Sequence, residues 1–221
     1  MPSICICGPE DTGNKPYIVV VFGRTGVGVS SLINLIMGYP ASGTHPDGKS
    51  CTRKIKEHLV NLSDDKRICL YEVPGFGGEV DTEAIMKSIR ALEKKKAIDL
   101  FVHCLRSQKS TLIPNIVRRI RREIPSVPMV AVVTELERFE GEMEDWWSVI
   151  SDDGRTANGT ALMEKLGLTF NARACVTSLP LIDVALNEKF RKRRMFSEEL
   201  VKRVITEQCG RAKRTCGDSR T

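Results

Sequence analysis

The chain has 221 residues, 41% of them hydrophobic, and a formal net charge of +6, enough for one substantial core and therefore for a single domain. No apolar run approaches the ~20 residues that a membrane-spanning helix needs, and no basic segment leads into an apolar stretch and a cleavage site, so a cytoplasmic protein is expected. Of the eight cysteines, Cys69, Cys104 and Cys175 sit in apolar strand-like runs as free thiols would, while Cys5-x-Cys7 and the pair Cys209 and Cys216 lack the spacing and histidine partners of a zinc site.

Residues 1–15, rich in Gly, Pro and Cys, read as an arm before a first strand at Tyr17 to Phe22. Gly23-Arg24-Thr25-Gly26-Val27-Gly28-Val29-Ser30-Ser31 then turns that strand into a helix over Ser31 to Met37. This is the order of a phosphate-binding loop, in which glycines let consecutive backbone N–H groups converge on an anion at the positive end of a helix. The pattern G-x-x-x-x-G-K-[ST] asks for lysine where Val29 stands, and valine cannot touch a phosphate. Ser30 stands where a Mg²⁺ ligand is expected.

Gly38 to Thr52 is a long loop of Gly, Pro, Ser and Thr beside that turn. Strands follow at His58 to Leu62 and Arg67 to Val73, with Ser63-Asp64-Asp65-Lys66 as their hairpin. Helices at Thr82 to Lys96 and Pro114 to Glu123 then alternate with strands at Leu100 to Leu105 and Pro128 to Val133. Helical segments near Glu142 to Ile150 and Gly159 to Leu166 lead to a last strand at Ala174 to Thr177 and a closing helix from about Ser197 to Cys209. Such alternation implies a mostly parallel sheet covered on both faces. We divide the chain into the arm, a domain at 16–209 and a basic tail at 210–221.

Three further segments fit a nucleotide site at the strand ends. Glu72-Val73-Pro74-Gly75-Phe76 resembles the D-x-P-G switch of GTPases, with Glu72 in the place of the aspartate that supports Mg²⁺ through water, Gly75 offering an N–H to the γ-phosphate, and Phe76 where a water-orienting glutamine is common. Thr134-Glu135-Leu136-Glu137 resembles the [NT]-K-x-D base motif; a carboxylate at Glu137 accepts guanine's N1–H and 2-amino group, whereas Glu135 replaces a lysine whose stem packs on the base. Thr177-Ser178 sits where a backbone amide meets the guanine oxygen.

Together these words resemble a TRAFAC-class P-loop GTPase, and in particular the single-domain G proteins of mushroom-forming fungi, from Tyr17 to Thr177. The fungal likeness is carried by Phe22-Gly23-Arg24-Thr25-Gly26-Val27-Gly28, Ser30-Ser31-Leu32-Ile33-Asn34-Leu35-Ile36, Cys51-Thr52, Pro74-Gly75-Phe76, Val133-Thr134-x-Leu136-Glu137 and Met143-Glu144-x-Trp146-Trp147. The resemblance implies a three-layer α/β G domain with one antiparallel edge strand. It also implies GTP or GDP with Mg²⁺ on Ser30, Thr52 and Glu72, and an effector protein or nucleotide-dependent homodimer as partner.

Hydrolysis is expected to be slow, because Val29 brings no charge and Phe76 cannot orient water. One alternative is a nucleotide-free pseudo-GTPase scaffold. Another is a basic surface binder of RNA or acidic membrane, acting through Arg118, Arg119, Arg121 and Arg122 or through Lys189, Arg191, Lys192, Arg193 and Arg194. Both clusters also read as solvated helix faces, and nucleic acid is disfavoured because few aromatics interleave them. Of the adjacent tryptophans, 100° apart on a helix, one is expected in the core.

Overall fold

A computed structural model describes residues 15–44, 52–63, 66–106, 112–152, 154–185 and 187–217. The expected arm, Cys51, the hairpin turn and the end of the tail lie outside these residues, apart from Lys15, Ser63 and Lys66 at their edges.

Six strands form one sheet in the order β2-β3-β1-β4-β5-β6. They are β1 (Tyr17–Phe22), β2 (Lys56–Ser63), β3 (Lys66–Glu72), β4 (Leu100–Arg106), β5 (Met129–Thr134) and β6 (Ala172–Cys175). β2 pairs antiparallel with β3 at the edge, while β1 to β3, β1 to β4, β4 to β5 and β5 to β6 are parallel. The expected architecture is the one observed.

Period-two alternation along β1 divides the core. Ile18, Val20 and Phe22 face an apolar layer with Ile85, Met86 and Ile89 of α2 (Thr82–Lys96), Val117 and Ile120 of α3 (Pro114–Glu123), and Leu162 and Leu166 of α4 (Asn158–Leu166). Val19 and Val21 face the other side, with Leu32, Ile33, Leu35 and Ile36 of α1 (Val29–Met37) and Leu200, Val201, Val204 and Ile205 of a long C-terminal helix. Strand interiors buried on both faces explain the apolar runs of β1 and β5, and of β4 on either side of His103.

Three differences from the sequence reading have local causes. The C-terminal helix, α6, spans Glu188–Gly217, so it begins earlier and continues into the segment read as a tail; a short α5 (Leu181–Val184) precedes it. Its cationic first turns hid the helical period, because they carry few apolar side chains. Met143–Trp147 is a short 3₁₀ helix, and both Trp146 and Trp147 are buried, edge to face at 6.3 Å, rather than one. The last strand ends at Cys175, two residues short of Thr177, because the chain turns there toward α6.

Neither basic cluster is wholly solvated. Arg119 bridges Glu83 at 2.6 Å and Glu123 at 2.8 Å, tying α3 to α2, and Arg121 donates to the Val127 carbonyl at 2.8 Å. Arg194 donates to the Leu179 carbonyl at 2.9 Å. Among the described residues no helix is long and apolar enough to cross a membrane.

Candidate functional site

The parallel strands end on a cleft lined by the 24–31 loop, Thr52, Glu72, Gly75, Arg106, Thr134, Glu135, Glu137 and Ser178. The sequence-predicted stations therefore meet at one place, at the carboxyl edge of the sheet.

β1 delivers the chain into the loop, and Gly28, at φ 94, lets it reverse into α1, a conformation that L side chains rarely adopt. The helical ladder opens with Leu32 N–H donating to Gly28 O at 2.8 Å, so the amides of Val29, Ser30 and Ser31 precede any intrahelical acceptor, and no side chain among the described residues caps them. Free amides at the start of a helix are the arrangement that suits an anion, and they stand at one end of the cleft. Val29 is 8% exposed and packs back among apolar neighbours of α1 and the sheet.

Not every loop amide points that way. Thr25 N–H donates to the Phe76 carbonyl at 2.9 Å, and its hydroxyl to the Gly75 carbonyl at 2.9 Å; Val27 N–H closes a turn onto Arg24 O at 3.2 Å. Thr25 and Val27, read from the sequence as phosphate contacts, thus spend their amides inside the protein. Gly75 lies so close that a Cβ on it would come within 2.6 Å of Thr25 Cα, so the switch segment is stitched onto the loop and needs glycine there. Phe76 is buried, edge to face with Phe22 at 6.3 Å; the side chain at the water-orienting position belongs to the core.

Glu72 ends β3 fully buried, and its carboxylate collects four donors. Oε1 accepts from Ser30 Oγ at 2.6 Å and Thr52 Oγ1 at 2.8 Å; Oε2 accepts from Ser42 Oγ at 2.6 Å and faces His58 Nε2 at 3.2 Å. Burial pushes this carboxyl's pKa up, but the hydrogen bonds from Ser30, Ser42, Thr52 and His58 together outweigh that and hold it below the usual range. The methylene that glutamate has beyond aspartate lets the carboxylate reach the Ser30 and Thr52 hydroxyls directly.

At the other end Thr134 is buried, and its hydroxyl lies 3.0 Å from both the Val27 and the Leu105 carbonyls. It anchors the phosphate loop to β4 and β5 instead of reading a base. Thr177 is likewise a positioning residue: its amide donates to Ser197 Oγ at 3.0 Å, so it is not available to a ligand, and its hydroxyl donates to Glu137 Oε2 at 3.1 Å. Glu137 and Ser178 remain on the cleft. Glu135, at φ 65, pairs with Arg106 at 2.8 Å. Burial raises the Glu135 pKa, with Arg106 opposing and Glu137 reinforcing the rise.

Two side chains that shape this region were missed by sequence reasoning. Arg106 lies outside every motif. Arg193 donates to the carbonyls of Leu136 at 3.2 Å, Glu137 at 2.8 Å and Phe139 at 2.8 Å, and also to Gly141, so one guanidinium of α6 shapes the loop after the base motif. Its place inside a cationic run gave no signal.

The family described as 50S ribosome-binding GTPase matches residues 18–135, just over half of the chain. The chain belongs to that GTPase family. No protein of curated function matches the sequence. Similar folds include a dimerisation-deficient variant of Toc33 from Arabidopsis thaliana, with 17% identity, TM-score 0.59, and 88% of this chain and 84% of that one covered. They also include a GTP-binding protein from the archaeon Sulfolobus solfataricus in complex with GDP (16%, 0.53, 89% and 53%) and the FeoB G-domain of Methanococcus jannaschii (13%, 0.50, 89% and 99%). The chain spans 57% of the length of the similar protein SsGBP. At these identities the likeness is one of fold.

Proposed function

We propose that this GTPase domain binds GTP and GDP with Mg²⁺ and hydrolyses GTP slowly. The observation that carries the reading is the meeting of Ser30 and Thr52 on one buried carboxylate, Glu72, at the foot of the amide-lined loop. Hard oxygen donors converging beside an anion site suit Mg²⁺, which typically draws further ligands from phosphate and water. Among the described residues no cluster of three or more His, Cys, Asp or Glu side chains could hold a metal, so an all-protein cage is not on offer. Bound there, Mg²⁺ would neutralise β- and γ-phosphate oxygens. Ser30 and Thr52 would turn lone pairs toward it while still donating their protons to Glu72. The amides of Val29, Ser30 and Ser31 would hold the phosphates, and Glu137 would accept guanine's two donors.

Slow hydrolysis follows from the protein's own side chains. Val29 offers no cation to the developing charge, and Phe76 is locked in the core, away from any attacking water. A second reading, a nucleotide-free scaffold, is favoured by one fact: the Glu72 carboxylate is already satisfied by four donors. The RNA or acidic-membrane reading draws less support, because Arg119, Arg121, Arg193 and Arg194 are engaged within the fold. Nucleotide-dependent self-association fits the reading too, since dimerisation matters for GTPase activity in the similar chloroplast components atToc33 and psToc159. The words carrying the fungal likeness, and the buried free thiols Cys69, Cys104, Cys175 and Cys209, support a fungal G protein of the cytoplasm.

The test is a titration with GTP, GDP and ATP at fixed Mg²⁺. Guanine nucleotides should bind more tightly than ATP, and Glu137→Ala should reduce that preference about 5- to 150-fold, the ~1–3 kcal/mol of donors left without an acceptor. ATP binding as tight as GTP binding would remove the base assignment. No nucleotide binding, with no thermal stabilisation by GTP, would establish the scaffold.

A further inference from the structure

Arg106 closes β4 one residue beyond Leu105, whose carbonyl lies 3.0 Å from the Thr134 hydroxyl that also meets the phosphate loop. Its Cα pairs in register with that of Thr134, so its origin is fixed by the same contacts that fix the loop. Three features of its surroundings are not explained by stability. The pair with Glu135 is partly exposed, 33% and 41% for the two side chains, and pairs of that kind contribute little to folding. Glu135 meets it from a left-handed backbone at φ 65, a strained choice for a residue with a Cβ. The Arg106 Nε is buried and has no hydrogen-bond partner among the described residues, while the side chain lines the cleft with Glu135 and Glu137.

Strain, a desolvated donor and a weak ion pair gathered at one wall of a cleft mark a residue held for a ligand rather than for stability. The base motif lacks its lysine at position 135, and the cation stands instead on the neighbouring strand, tethered to the glutamate that replaced it. We propose that Arg106 is the base-positioning cation of this site, with Glu135 as its anchor: the guanidinium plane lies against the purine face and takes over what a lysine at 135 would do. A planar, always-charged group suits that task, because it stacks on an aromatic ring while its edge stays hydrogen-bonded. The inference rests on the guanine-nucleotide reading above.

The experiment is competition of GMP, GDP and GTP against a fluorescent GDP analogue, with Mg²⁺ fixed. Arg106→Ala should weaken all three about tenfold and by the same factor, because the contact is with the base they share. The double variant Arg106→Ala, Glu135→Lys should return affinity to within about threefold of the natural chain, by restoring a cation on the other strand. A loss that grows by tenfold or more from GMP to GTP would move Arg106 onto the phosphates and overturn the proposal. So would unchanged affinity in Arg106→Ala while the natural chain binds guanine nucleotides. Failure of the natural chain to bind any of the three would instead remove the underlying reading. If Arg106→Ala does not fold, judged by melting without nucleotide, the double variant decides: recovery supports the proposal, and a loss above tenfold refutes it.

Discussion

Both ends of the cleft lack a lysine that the GTPase pattern asks for, and they differ in what stands in its place. At the phosphate end Val29 has joined the apolar layer between α1 and the sheet, so a charge has been exchanged for packing. At the base end Glu135 has reversed the sign, and Arg106 sits 2.8 Å away on the next strand, so the charge is still present but displaced. A mismatched letter in a motif therefore has no meaning alone. What it means depends on the side chain beside it in space, here from strands 29 residues apart.

The largest expected effect lies at the phosphate end, where Glu72 holds α1, the following loop and β2 together. Glu72→Ala should cost about 3–5 kcal/mol of folding stability, because Ser30, Ser42, Thr52 and His58 would lose a buried common partner. Urea denaturation without nucleotide measures it; a loss below about 1 kcal/mol would mean that water substitutes easily and that this end is not held by its carboxylate.

Next comes Val29→Lys, which tests whether the phosphate end has merely lost a charge. GTP affinity should rise about 10- to 150-fold, the ~1.5–3 kcal/mol of a charge-assisted contact, while single-turnover hydrolysis should gain less because Phe76 stays in the core. An unchanged titration in a folded variant would show that the loop does not hold phosphates in the inferred pose, and the contrast between the two ends would collapse.

The smallest effect concerns the strands beneath both ends. His103 on β4 is fully buried, stacked on Phe22 at 4.7 Å, and neither ring nitrogen has a partner among the described residues. Burial pushes its pKa down from 6.5 to about 3. As pH falls through that window the unfolded chain takes up a proton that the folded chain refuses, so stability present above pH 6.5 is lost on acidification. Between pH 7 and pH 5 the loss should be about 2 kcal/mol. His103→Leu should flatten this slope and leave guanine preference alone; a slope unchanged by the substitution would place the acid sensitivity elsewhere.

The framework was legible wherever a periodic apolar pattern had clean ends. The limits expected for β1, α2 and α3 coincide with those observed, because Gly23, Asp81 and Pro114 punctuate them; Asp81, for instance, caps α2 by accepting from Ala84 N–H at 3.0 Å. The residues of the cleft were legible as a set, since motif order fixes which strand ends they occupy. Their individual duties were not. Thr134 and Thr177 turned out to brace the loop and Glu137, and both tasks depend on partners 40 or 107 residues away. Arg193 acts across more than 50 residues, beyond the reach of any local pattern.

That last contact gives α6 a mechanical character. Thirty residues of helix make a rod about 45 Å long, and its first turns grip the carbonyls of the loop that follows the base motif. A rod transmits displacement with little loss. The position of those turns therefore sets the shape of the segment from Leu136 to Gly141, which carries Glu137 to the edge of the cleft.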